Sequence, residues 1–198
     1  MLERGYAATT MADVAAQAGV AVQTIYAYCP GGKSALAKTL YDVTLAGDGQ
    51  PIPQSQRPEV LAIIAEPNPA RKLAMYAAMA AAIMTRVGPV HRLLRAAAAS
   101  PAADPGVLAL LASTEQQRRA GSRGPVLDLA SMGALRVGQT VERAADQVYV
   151  LTMPEIFDRL TEGCGWTAAE YENWLARTLI AALLEPERGT DDPHTDDR

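Results

Sequence analysis

The chain has 198 residues, 49% of them apolar, and a formal charge of −4. That length and apolar share allow a buried core in one large or two small domains, and the acidic balance excludes a uniformly basic nucleic-acid coat. Two cysteines, Cys29 and Cys164, make no disulfide framework, no stretch reads as a run of about 18 uncharged apolar residues, and MLERGYAATT has no apolar signal core, so a reduced cytoplasmic protein is expected.

Alanine dominates the apolar residues and Phe157 is the single phenylalanine, a composition that favours an all-α fold. In chain order, Thr9 and Thr10 precede Met11, Val14, Ala15 and Ala18, which fall on one helical face. Gly19 stops this helix, and a second runs from Val22 to Tyr28 until Pro30-Gly31-Gly32 ends it. A third, reaching about Leu45, carries Leu36, Leu40 and Val43 on one face. The segment 47–58, rich in proline and glycine, reads as a linker between a head (1–46) and a larger domain (59–184). Helices are expected over 59–65, 70–87, 90–99, 106–119, 126–135, 140–162 and 167–184. Pro154 should kink the sixth of these. The last has Thr167 as N-cap, Glu170 at the capping-box position, and an apolar stripe from Tyr171 to Leu183. Residues 185–198 form an acidic tail, expected to be disordered.

Gly32-Lys33-Ser34 invites comparison with a phosphate-binding loop. Such a loop needs a glycine five residues earlier and a preceding strand, whereas Ala27 stands there and its surroundings are helical. Ala15, Gly19 and Ile25 fit a different pattern. Two helices joined by a tight turn need a small residue where they cross, a glycine where the backbone turns left-handed, and a branched apolar plug in the second helix. These three residues have the spacing of a DNA-binding helix-turn-helix.

Together with their surroundings, ERGYAATTMADVAAQAGVAVQTIYAY and Lys33-x-x-Leu36, they resemble the tetracycline-repressor (TetR) family of bacterial transcription regulators. Cys29 stands where that pattern has an aromatic, and Lys33 lies one residue later than the family lysine. The resemblance implies that the basic arm and most of a first helix are missing ahead of Glu3, with Met1-Leu2-Glu3 as that helix's end. It implies a transcriptional regulator, a repressor released from a pseudo-palindromic DNA operator by a small-molecule effector. The alternative is a ligand-binding helical dimer that has lost DNA binding.

Ala21, Val22, Gln23 and Thr24 begin the helix that enters a major groove, where Gln23 suits an adenine edge and Thr24 an edge or a phosphate. Thr10 is a further phosphate candidate, and the resemblance assigns phosphate contacts to Tyr26 and Lys33. Tyr28 completes the set, with packing as its other reading. The larger domain is expected to bind the effector and to dimerise. Met75, Met79, Met84 and Met132 are candidates for a plastic apolar cavity, with His91, Arg95 and Gln116 orienting a polar group. Val148, Tyr149, Thr152, Ile156, Trp174, Leu175, Leu179 and Leu183 are expected to face a second subunit of a homodimer. No membrane partner or cofactor is expected. Two histidines and two distant cysteines offer no metal cluster, and Ser122 sits in no nucleophile elbow, so an enzyme is not expected.

Overall fold

The computed structural model describes residues 1–186, and the expected tail falls outside them from residue 187 onward. Among the described residues there are ten α-helices and no β-strand beyond a single bridge, Leu135 to Leu184. The head comprises α1 (Met11–Ala18), α2 (Val22–Tyr28) and α3 (Gly32–Ala46). The body comprises α4 (Pro58–Ala65), α5 (Pro69–Ala98), α6 (Pro105–Gly121), α7 (Arg123–Ser131), α8 (Val141–Leu151), α9 (Pro154–Asp158) and α10 (Ala168–Leu183).

The helix ends follow local chemistry. The Thr10 hydroxyl accepts from the Asp13 N–H, and the Asp13 carboxylate accepts from the Thr10 N–H, a reciprocal capping box. Thr167 and Glu170 repeat it at α10. Gly19 closes α1 at φ 68°, the left-handed position that favours glycine. Met1-Leu2-Glu3, expected as a helix end, is a turn that the Gly5 N–H closes on the Met1 carbonyl at 2.9 Å.

Two expected breaks differ. Gly88-Pro89 does not interrupt α5, which runs unbroken through Pro89. Proline removes one helical hydrogen bond. The flanking Val87 and Val90 are buried, and packing on both sides of the proline holds the helix. Pro154 does more than kink: α8 stops at Leu151 and α9 restarts at Pro154, which occupies the first helical position where its missing N–H costs nothing. A π-helical turn follows over Arg159–Gly163. The 126–135 helix sits earlier, as Arg123–Ser131. The 47–58 segment is pinned rather than loose: Arg57, 4% exposed, donates to both Asp48 carboxylate oxygens at 2.9 and 3.0 Å.

Helix α5 is the centre of the body. Among the described helices it alone is long and apolar enough to cross a membrane, yet Lys72 and Arg86 interrupt its apolar run and its apolar residues pack on α3, α6, α9 and α10. One core cluster joins Leu73, Ala77 and Met84 to Val148 and the α10 stripe Tyr171, Leu175, Leu179 and Leu183. A second joins Tyr6, Ala37 and Tyr41 of the head to Val87, Leu94 and Val107 of the body. The head is thus packed against α5 and α6.

Candidate DNA-binding head and ligand cavity

Ala15 is 1% exposed where α1 crosses α2, and Gly19 makes the turn. Cys29 is buried and caps α2, while α2 itself buries no residue. Thr10, Ala21, Gln23, Thr24, Tyr26 and Tyr28 are all exposed, and Val22 and Lys33 are half-buried. The first turn of α2 is therefore open to solvent.

Two phosphate candidates have other partners. The Thr10 hydroxyl donates to Asp13 Oδ2 at 2.7 Å as part of its cap. Lys33 turns inward: Nζ donates to the Tyr6 carbonyl at 2.9 Å and lies 4.4 Å from the centre of the Tyr6 ring. The longer 29–33 loop places the lysine over Tyr6 at the start of α3. The other head cations are also paired, Arg4 with Asp13 at 3.1 Å and Lys38 with Asp42 at 2.5 Å.

The head is tied to the body at two places. Tyr6 Oη donates to Asp104 Oδ2 at 2.6 Å, and Asp104 is the N-cap of α6. This bond and the Gly106 N–H hold the Asp104 carboxyl below the usual range. A Cβ on Gly106 would lie 2.5 Å from the Ser34 side chain, so the starts of α3 and α6 touch there. At the other end of α3, Arg86 of α5 donates to the Thr44 and Leu45 carbonyls, both at 3.2 Å. Removing the Tyr6 hydroxyl with Tyr6→Phe should cost about 1 kcal/mol, measured by urea unfolding.

Beneath the head lies a cavity of about 550 Å³, within the range of small-molecule sites. Helices α3, α4, α5, α6 and α7 all contribute. Ile63, Ile64, Met79, Ile83 and Met84 make an apolar wall, and Tyr41, Tyr76, Thr114, Arg118 and Thr152 make a polar one. Burial raises the Tyr41 phenol and pushes Tyr76 up to about 12, so both are neutral donors at physiological pH. Arg118 donates to the carbonyls of Tyr149 and Thr152 at 3.2 and 3.3 Å and pairs with Glu115 at 3.5 Å.

Of the seven pocket candidates, Met79 and Met84 line this cavity. Met75 faces a shallower depression beside it, which Met79 and Arg86 share. His91, Arg95, Gln116 and Met132 line neither. Arg95 is instead paired with Glu155 of α9 at 2.6 Å, and Met132 is exposed past the end of α7. Tyr41, Tyr76, Thr114 and Arg118 had no local signature, because three helices, α3, α5 and α6, must fold together before they meet.

His91 is 8% exposed near Glu155, Arg95, Arg118 and Asp158, and burial lowers its pKa. The unfolded chain protonates its imidazole near about 6.5, the folded protein only at lower pH. Between the two values the unfolded state binds more protons, so stability falls as pH drops below about 6.5. His91→Asn should flatten that part of the pH profile in urea titrations.

The expected dimer face is largely internal. Val148, Thr152, Leu175, Leu179 and Leu183 are buried within the chain's own core, and only Tyr149, Ile156 and Trp174 are half-buried. An apolar periodicity finds a face to be covered without telling whether the same chain or another covers it.

Residues 1–40 match the sequence profile of the bacterial regulatory proteins of the tetR family. None of the curated proteins matches the chain. A solved structure concerning the molecular basis for control of antibiotic production by a bacterial hormone is 20% identical, covering 93% of this chain and 91% of its own at a TM-score of 0.66. That likeness shows a shared fold. Residues 1–40 are therefore similar to the helix-turn-helix head of the tetR family of bacterial regulatory proteins, carried here on an all-helical body.

Proposed function

We propose that the protein is a repressor that a small-molecule effector releases from its operator. The observation that carries this reading is the placement of α3 and α6. The first turn of α6 meets Tyr6 and Ser34 of the head, and its later turns bring Thr114 and Arg118 to the cavity. Helix α3 itself lends Tyr41 and Leu45 to the cavity wall. A molecule that fits the cavity in one arrangement of these helices better than another shifts the head, and DNA affinity changes by that difference, typically about 1–3 kcal/mol.

Residues 1–46 act as the head, 47–58 as the connection and 59–184 as the effector-binding and dimerising body. Gln23 and Thr24 read bases; Ala21 and Val22 approach the groove floor; Tyr26, Tyr28 and Lys33 lie along the backbone. A second copy rests against the outward side of α8 and α10, where Val150, Trp174 and Ile180 keep partly exposed apolar surface. Two heads then engage half-sites about one helical turn apart. Selecting binders from a pool of random duplexes should return a pseudo-palindrome. Recovery of no preferred sequence would contradict the reading.

A further inference from the structure

We propose that the cavity takes an uncharged amphiphile, an apolar body carrying a hydrogen-bonding head that is not ionised. This rests on the reading of the cavity as the effector site and deepens it. The apolar wall of Ile63, Ile64, Ile83 and Met84 fits a hydrocarbon body. The polar wall decides the head.

Two ionic groups border the cavity, Arg118 and Asp128, and both are answered from within the protein. Arg118 is held by Glu115, by two backbone carbonyls and by the Tyr149 ring, 5.2 Å from its guanidinium carbon. Asp128 is paired with Lys72, whose ammonium also donates to the Ile64 carbonyl at 2.7 Å. No charge on the wall is left for an ionised ligand, and burying an unmatched charge is costly. What remains is neutral: the hydroxyls of Tyr41, Tyr76, Thr114 and Thr152, with the amides of Gln54 and Gln117. Thr114 and Thr152 donate to the Leu111 and Val148 carbonyls and lie within hydrogen-bonding reach of the Tyr41 and Tyr76 phenols, so each threonine–tyrosine pair offers a neutral hydroxyl site. The phenols of Tyr41 and Tyr76 stay protonated beside them. Such a set suits a hydroxyl, ester or ketone head.

The test uses the full chain with three probes of one length: 1-decanol, decanoate and decylammonium. Binding is read by calorimetry at neutral pH and as a shift in Tm. Decanol is expected to bind at least about tenfold more tightly than either ion, a difference of about 1.4 kcal/mol. Tyr76→Phe, checked for unchanged ligand-free Tm and circular dichroism, should weaken decanol severalfold. Tighter binding of either ion overturns the proposal. So does equal binding of all three, no binding by any, or indifference to Tyr76→Phe. DNA release by the same probes is measured separately in anisotropy. Decanol that binds selectively without releasing DNA supports the ligand class and defeats the effector reading. Release without selectivity does the reverse.

Discussion

Replacing Lys72 with alanine should destabilise the protein by about 3 kcal/mol or more. Lys72 is 1% exposed, yet it carries an ammonium between Asp128 of α7 and the Ile64 carbonyl of α4. The pair therefore joins three helices, α4, α5 and α7, along one side of the cavity. Truncation leaves the partly buried Asp128 carboxylate without its counter-charge and opens a void beside Leu73. Asp128 keeps 28% of its side-chain surface in water, which holds the penalty at the low end of the range for broken buried pairs. Lys72→Met with Asp128→Leu removes both charges and keeps the volume, so it should cost much less than Lys72→Ala. Urea unfolding of the two variants measures the contrast. Equal losses would mean that packing volume, and not the charge, is what Lys72 contributes.

Gly106→Ala should lower DNA affinity by about tenfold or more while leaving the fold intact. The added methyl would sit 2.5 Å from the Ser34 Cβ and Oγ, closer than carbon atoms tolerate. The Oγ can rotate away about χ1, but the Cβ is fixed to the backbone, so the starts of α3 and α6 must separate. Overpacking of this kind costs about 1–3 kcal/mol, and here the strain falls on the contact that sets the head against the body. Ser34→Gly removes the obstructing side chain and should restore much of the affinity in the double variant. Anisotropy on the selected duplex reports binding, and urea unfolding separates it from stability. Wild-type affinity in Gly106→Ala would show that this contact does not position the head.

The head was legible because its motif is local. Ala15, Gly19 and Ile25 lie within one short stretch, and each is demanded by the turn between two helices. The caps were legible for the same reason, with Thr167 and Glu170 three residues apart. What could not be read depends on distant partners. Pro89 looks like a break until Val87 and Val90 are seen buried on either side of it. Leu175, Leu179 and Leu183 look like an interface until α5 is seen to cover them. The cavity escaped most, because a methionine count favoured Met75 and Met132 over Tyr41, Tyr76 and Arg118, which converge from three helices. Lys33 illustrates a subtler limit: its motif position suggests a phosphate, while its ammonium rests on the Tyr6 carbonyl.

The head is an unusual DNA reader in its charge. Arg4, Lys33 and Lys38 are its cations, each with a partner in the protein. Phosphate neutralisation can therefore supply only a modest share of affinity, and on the proposed reading Gln23 and Thr24 are expected to carry more of the recognition than in a strongly basic head. Anisotropy of the selected duplex against rising salt, for the wild type and for Gln23→Ala, tests this most directly. Specific binding is expected, with a slope in log affinity against log salt no steeper than about −5 for two heads of three cations. Gln23→Ala should weaken binding by about 1–3 kcal/mol at every salt and leave the slope unchanged. Binding that ignores both salt and Gln23→Ala, or no specific binding at all, would contradict DNA recognition by α2.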